Sequence, residues 1–124
     1  MHSSLGPRGI DVSGEYAYML WEDGIYPDGL HIIDIDPPED AHTINCIELD
    51  ENRIAIQVSG GYAYVSGYNY LPNGALHIID INPPDDAHIL CDVQLPYFTL
   101  NLEVNDNIAC LANEYGGLRI IKLW

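Results

Sequence analysis

The chain repeats itself with a shift of 46 residues. The segment Ile10–Tyr18 returns as Ile56–Tyr64, and Leu30–Pro38 returns as Leu76–Pro84, so two separate motifs recur at one spacing. A weaker third copy begins near Leu102 and continues to the end of the chain. Internal periods of roughly 20 to 50 residues are typical of solenoids, propellers and other arrays of one supersecondary unit. We therefore expect similar units stacked on one another.

Each repeat carries the pattern of four β-strands. Apolar residues alternate with a period of two, or form short runs rich in β-branched and aromatic side chains, which favours strands over helices. Ser13-Gly14 suits a tight hairpin between the first two strands, and the double prolines at 37–38 and 83–84 end the third strand. The predicted strands are 9–13, 16–21, 29–35 and 42–49, then 54–59, 62–67, 75–81 and 88–95, then 100–105, 108–112 and 117–123.

Four antiparallel strands in a unit of this length are typical of a propeller blade. We expect an all-β fold, a partial β-propeller with two complete blades at 9–53 and 54–99 and a three-strand blade at 100–124. Residues 1–8 are interpreted as a leader or an expression remnant. Propellers have roughly four to eight blades, and exposed strand edges and apolar faces invite pairing. We therefore expect self-association or missing blades to close the ring.

The charge of the chain excludes some classes of partner. Nineteen Asp and Glu residues against four Lys and Arg give a net charge of −15. Such a surface repels phosphate groups, so we expect no binding to nucleic acid or to anionic membranes. The sequence shows no apolar stretch of the ~20 residues that span a bilayer and no signal peptide, so no membrane insertion is expected. Cys46, Cys91 and Cys110 lie in apolar runs without pair spacing, so we expect buried thiols.

The two motifs resemble a known family. Leu30-His31-Ile32-Ile33-Asp34 and its copy at 76–80 resemble the LVIVD repeat of bacterial and archaeal surface proteins. The Val-Ser-Gly-x-Tyr-Ala-Tyr segments at 12–18 and 58–64 are similar to the other half of that signature. The resemblance covers about 9–124, although Ile108-Ala109-Cys110 replaces Tyr-Ala-Tyr in the third repeat. It implies a β-propeller at the cell surface or outside the cell, with a non-enzymatic binding or scaffolding role and no shared catalytic residue.

Aromatic side chains are concentrated in the loops between the second and third strands of the first two repeats. Both loops are expected on one rim of the propeller. Exposed Tyr and Trp beside polar neighbours are typical of recognition surfaces, for a protein or for a carbohydrate. The alternative is that the tyrosines fold back onto the blade. The predicted binding residues are Trp21, Tyr26, Tyr68 and Tyr70.

Acidic turns follow the third strand of each full repeat. Calcium prefers oxygen ligands, and Asp-x-Asp or Asp-x-Asn spacing opens some calcium loops, but the glycine and the later glutamate of an EF-hand are missing. Asp34 and Asp80 can instead accept backbone N–H bonds and shape the turn. A calcium-dependent module, an enzyme using these turns, and a fragment without a function of its own are therefore the alternative functions. The weak calcium candidates are Asp34, Asp36, Asp40, Asp80 and Asp86.

The sequence offers little for catalysis. It has no nucleophile elbow, no metal-binding helix motif and no glycine loop for phosphate, so we expect neither an enzyme nor a cofactor. Two pairs of histidines, His31 with His77 and His42 with His88, recur with the repeat. Recurrence favours a structural role, and we expect His31 and His77 on a semi-exposed face of their strands.

Overall fold

The computed structural model describes residues 6–22, 29–49, 52–68, 74–95, 99–113 and 117–123. These residues form eleven strands in three antiparallel sheets, together with two short 3₁₀ helices and no α-helix. The all-β prediction is confirmed. In each sheet the strands follow chain order, so that consecutive strands are hydrogen-bonded neighbours.

One sheet corresponds to each repeat. The first sheet consists of β1 (Gly6–Ser13), β2 (Tyr16–Glu22), β3 (Gly29–Asp34) and β4 (His42–Glu48). The second consists of β5 (Asn52–Ser59), β6 (Tyr62–Tyr68), β7 (Gly74–Asp80) and β8 (His88–Leu95). The third consists of β9 (Thr99–Asn105), β10 (Ile108–Asn113) and β11 (Gly117–Lys122). The 3₁₀ helices Pro38–Asp40 and Pro84–Asp86 precede β4 and β8.

The strand boundaries follow the sequence pattern closely, with one informative difference. β1 begins at Gly6, three residues before the predicted start, and contains Pro7. Proline cannot donate a ladder hydrogen bond, so within sheets it is confined to edge strands and bulges. β1 is an edge strand of its sheet, and its register with β2 shifts between Pro7 and Gly9. The edge position therefore accommodates the proline.

Alternation along the strands gives every sheet two apolar faces. We call the face of the second sheet that carries Val58, Ala63 and Val65 its leading face, and the face that carries Tyr64, Leu76 and Ile78 its trailing face. The trailing face of the first sheet packs on the leading face of the second, and the trailing face of the second packs on the leading face of the third. The residues of the first contact include Tyr18, Leu20, Leu30, Ile32, Ala63, Val65 and Ile79. Those of the second include Tyr64, Leu76, Ile78, Leu102, Val104, Ala109 and Leu111.

The burial of each third strand depends on how many neighbours its sheet has. Every residue of β7 from Gly74 to Ile79 is buried, because the second sheet is covered on both faces. In β3, Leu30 and Ile32 are buried on the covered face while Ile33 on the other face is half-buried. In β11, Leu118 and Ile120 are 69% and 62% exposed. Nearly the same motif is therefore buried on both faces in the second repeat, buried on one face in the first and largely exposed in the third.

The chain leaves the third strand in the same way in all three repeats. The N–H of Ile35 donates to the carbonyl of Glu15, and the N–H of Ile81 donates to the carbonyl of Gly61. In the third repeat Leu123 makes the same bond to Asn107. The third repeat thus keeps the path of the others although Lys122 replaces the aspartate.

The prediction of buried thiols is wrong, because Cys91 is exposed and Cys46 and Cys110 are half-buried. Cys91 lies in β8, an edge strand whose residues 88–92 are all exposed. Cys110 lies at the position equivalent to Tyr64, on the trailing face of the third sheet. The apolar runs that contain these residues therefore include faces that no described part of the chain covers.

Gly29 lies where the backbone of β3 approaches that of β4 closely, so a substitution there tests this close approach. Its φ is 151°, and a Cβ atom there would collide with the backbone oxygen of Ile47 and lie 3.0 Å from Glu48 Cα. We expect Gly29→Ala to lower the free energy of unfolding by about 3 kcal/mol or more, measured by denaturant titration. Gly14→Ala is the matched control, because Gly14 also has positive φ (61°) but open space around it. It should lose only about 1–2 kcal/mol, and equal losses would contradict the steric argument.

Candidate functional site

The predicted aromatic binding residues are only partly within the described structure. Trp21 lies in β2 and is half-buried, with its ring centroid 6.0 Å from that of His31 and the two planes tilted by 36°. The backbone of Tyr68 ends β6. Its side chain lies outside the described residues, as do Tyr26 and Tyr70. The structure therefore brings Trp21 together with His31, and the four-residue binding surface stays a prediction.

The acidic turns are shaped by the first aspartate of each. Asp34 Oδ1 accepts the N–H of Asp36 at 3.0 Å, and Asp80 Oδ1 accepts the N–H of Asn82 at 3.0 Å. The turn-forming role expected of Asp34 and Asp80 is confirmed. Asp36, Asp40 and Asp86 are exposed. Within the described ranges no group of three or more His, Cys, Asp or Glu side chains is arranged to hold a metal ion.

The histidines take structural positions. His42 Nδ1 lies 2.9 Å from the carbonyl oxygen of Asp40, and His88 Nδ1 lies 3.1 Å from that of Asp86, so an Nδ1–H would donate to each 3₁₀ helix. His77 is 3% exposed, and its Nδ1 lies 2.5 Å from Asp92 Oδ1 on the neighbouring strand. The expected semi-exposed position is wrong for His77, because the first sheet covers the leading face of the second.

Polar side chains join the edge strands of neighbouring sheets. Asp11 Oδ2 on β1 accepts the N–H of Val58 on β5 at 2.7 Å. Gln57 on β5 bonds to Val104 on β9 twice, because its Oε1 accepts the N–H at 2.7 Å and its Nε2 donates to the carbonyl at 3.3 Å. β1, β5 and β9 are edge strands, whose outward backbone groups are not engaged by a neighbouring strand of the same sheet. One side chain of the first sheet and one of the second thus bond to backbone groups on the edge strand of the following sheet.

The next position in this series is Glu103. Asp11, Gln57 and Glu103 are 46 residues apart, and each precedes a valine in the first strand of its repeat. Together they line a groove along β1, β5 and β9. Sequence reasoning missed these residues, although a polar residue that recurs inside an apolar strand at the repeat spacing was the available signal.

Two tyrosines on the trailing faces are held neutral. Burial raises the pKa of the Tyr18 phenol above its ordinary 10.0, and the nearby Tyr16 raises it further. The pKa of Tyr64 is raised in the same way, by burial and then by Tyr62. Both phenols therefore ionise at a higher pH than an ordinary tyrosine, and both rings contribute to the apolar contacts between sheets.

Two apolar faces at opposite ends of the stack form the candidate binding surface. On the leading face of the first sheet Ile10 and Val12 are 60% and 55% exposed. On the trailing face of the third sheet Leu118 and Ile120 are exposed, and a shallow groove there is lined by Glu103, Cys110 and Leu118. Exposed apolar side chains grouped on one face of a sheet are typical of interaction sites.

Comparison with known proteins gives little further information. No protein-family model matches the chain, and none of the curated proteins is similar to it. A similar solved structure is the crystal structure of the computationally designed Ika4 protein, with a TM-score of 0.49 and 11% sequence identity over 97% of this chain and 92% of that chain. Among the described residues there is no helix long and apolar enough to cross a bilayer.

The Gln57 bonds predict a stability effect. Replacing Gln57 with Ala removes both hydrogen bonds to Val104 and leaves its backbone groups at the junction between two sheets. We expect Gln57→Ala to lower the free energy of unfolding by about 1–2 kcal/mol in denaturant titration. Gln94→Ala, at an exposed position of β8, should change it by less than about 0.5 kcal/mol. Equal effects of the two substitutions would show that the inter-sheet bonds do not stabilise the fold.

Proposed function

We propose that this chain is a β-propeller segment of the LVIVD type that works as a non-enzymatic binding module, and that its two outer faces bind further β-sheets. One observation carries the proposal. The apolar part of the repeated motif is completely buried in β7, where a sheet lies on each side, and is partly or largely exposed in β3 and β11, where a described sheet covers one side alone. The outer faces thus have the apolar composition of the covered faces, and no sheet among the described residues packs on them.

The free energy that would be gained by burying these exposed side chains is large for a small domain. Burying apolar surface stabilises by roughly 25 cal/mol per Å², or about 1.5–3 kcal/mol for one aliphatic side chain taken fully from water. Four such side chains, Ile10, Val12, Leu118 and Ile120, are each more than half exposed. Covering both faces would therefore recover several kcal/mol, which supports binding at these faces.

The arrangement of the first strands supports a propeller. β1 contacts β5 and β5 contacts β9, and Asp11 and Gln57 link these strands directly. In a propeller the first strands of successive blades lie closest to a central axis while the sheets pack face to face around it. Three consecutive sheets with hydrogen-bonded edge strands have the arrangement expected of neighbouring blades.

The loop rim remains the proposed surface for a ligand. Trp21 lies where β2 approaches the first of the two loops, and the loops of both repeats would emerge on the same rim of a propeller. The resemblance to LVIVD repeats favours a location at the cell surface or outside the cell, where a protein or carbohydrate would be the partner. Trp21, Tyr26, Tyr68 and Tyr70 are the residues proposed to bind it.

Solution mass and thiol protection test the outer faces together. Light scattering across a concentration series should show a species of at least twice the 13.8 kDa chain mass at high concentration. Cys110, on the trailing face of the third sheet, should then react more slowly with a thiol reagent, whereas the exposed Cys91 should react at the same rate throughout. A folded monomer with unchanged Cys110 reactivity at all concentrations would contradict the proposal.

Tyrosine substitutions test the rim. We expect the Tyr26→Ala, Tyr70→Ala double variant to lose binding to immobilised glycans or proteins that retain the parent chain, with an unchanged melting temperature. Tyr16→Ala is the matched control, because Tyr16 packs against the contact between the first two sheets and its loss should lower the melting temperature instead. A large drop in melting temperature in the double variant would show that Tyr26 and Tyr70 belong to the core.

A further inference from the structure

We propose that a second copy of this chain binds at the outer faces, head to tail. The trailing face of the third sheet of one copy packs on the leading face of the first sheet of the next, and Glu103 accepts the backbone N–H of Val12 across this junction. The inference rests on the proposed function, since it assigns the partner of the same two faces.

The packing of sheets inside the chain indicates what would cover the two outer faces. Within the chain a leading face is covered only by a trailing face, in both of the contacts between sheets. The uncovered leading face carries Ile10, Val12 and Ile33, at positions equivalent to Ile56, Val58 and Ile79, which pack against the first sheet. The uncovered trailing face is that of the third sheet, where Leu118 and Ile120 correspond to the buried Leu76 and Ile78. One copy therefore supplies both the face and its cover, at opposite ends.

The hydrogen bonds between edge strands give the register of the junction. Asp11 accepts the N–H of Val58, and Gln57 accepts the N–H of Val104. By the same pattern, Glu103 would accept the N–H of Val12 of the next copy. In the present structure the N–H of Val12 donates to the adjacent Asp11 Oδ1 at 2.9 Å at an exposed position, and not to any of the described sheets next to its own.

Glu103 is positioned on the correct face for this bond. It lies directly opposite Cys110 on β10, as Gln57 lies opposite Tyr64 on β6 and Asp11 lies opposite Tyr18 on β2. Directly opposed residues of an antiparallel pair share one face of the sheet. Asp11, Gln57 and Glu103 are therefore all on trailing faces, and the first two already bond to the next sheet.

The junction between copies resembles the internal Asp11 junction in charge and differs from the Gln57 junction. Gln57 both accepts from and donates to Val104, whereas the Glu103 carboxylate can only accept. It would also face the carbonyl of Val12 and lie near Asp11 of the next copy. A carboxamide at position 103 would reproduce the pair of bonds that Gln57 makes with Val104.

Mixing two face variants tests the head-to-tail arrangement. Ile10→Asp places a charge on the leading face and Leu118→Asp places one on the trailing face, so each variant alone should be monomeric by light scattering. Their equimolar mixture retains one intact face of each kind and should form a 1:1 dimer that grows no further. Leu90→Asp, at an exposed apolar position of β8 away from both faces, is the matched control and should assemble like the parent chain.

Substitutions at position 103 test the hydrogen bond separately from charge. Glu103→Gln and Glu103→Ala remove the same negative charge, but only Gln can bond to Val12. We expect Glu103→Gln to associate about tenfold more tightly than Glu103→Ala, a difference of about 1.4 kcal/mol in association free energy. Glu48→Gln and Glu48→Ala, on the exposed end of β4, should associate equally.

The outcomes separate the two proposals. If the parent chain stays monomeric, its outer faces do not bind copies of this chain. That result would contradict both the proposed binding at the outer faces and the head-to-tail arrangement. If it assembles but either face variant alone still dimerises, like faces pair with like and the head-to-tail arrangement is wrong. If it assembles and Glu103→Gln equals Glu103→Ala, the Glu103–Val12 bond is overturned while sheet packing stands. Circular dichroism of every variant confirms that loss of mass is not loss of folding.

Discussion

Packing of one sheet on the next is the interaction on which the rest of this structure depends. Each repeat produces a thin sheet that is apolar on both faces, because short apolar runs place large side chains on alternate sides of a strand. Such a sheet cannot bury itself. The second sheet is complete only because the first and third cover it, and the buried leucines, isoleucines and tyrosines of the chain are concentrated in these two contacts. Stability in this arrangement is a property of neighbours more than of single repeats.

The polar features of the molecule follow the same geometry. Asp11 and Gln57 lie on the edge strands β1 and β5. Each side chain accepts a backbone N–H from the edge strand of the next sheet, where no ladder partner lies on that side. Asn45 makes a further link, since its Nδ2 donates to the carbonyl of Pro84 at 3.2 Å. Apolar contact supplies most of the burial between sheets, while these few directional bonds fix how far one sheet can slide along the next.

Much of the fold could be predicted from the sequence because its signals are local. Period-two alternation predicted the strands, and the double prolines predicted where the third strands end. The Asx pattern predicted the turn-forming role of Asp34 and Asp80. Burial could not be predicted in this way, because Ile33 and Ile79 stand in the same motif and differ only in what lies opposite. The exposure of Cys91 and the bonds of Asp11 and Gln57 depend likewise on strands far away in sequence. The rim tyrosines lie outside the described residues, so that part of the site stays a prediction.

The third sheet has consequences for local unfolding and turnover. It has three described strands and one covered face, so fewer contacts hold it than hold either of the others. Segments with few buried contacts open first and most often, at a free energy below that of global unfolding. Opening here would break the Gln57 bonds and expose the trailing face of the second sheet, including Tyr64 and Leu76. A protease would then cleave the chain first in its third repeat. A partner that covers the trailing face of the third sheet would therefore also slow degradation of the molecule.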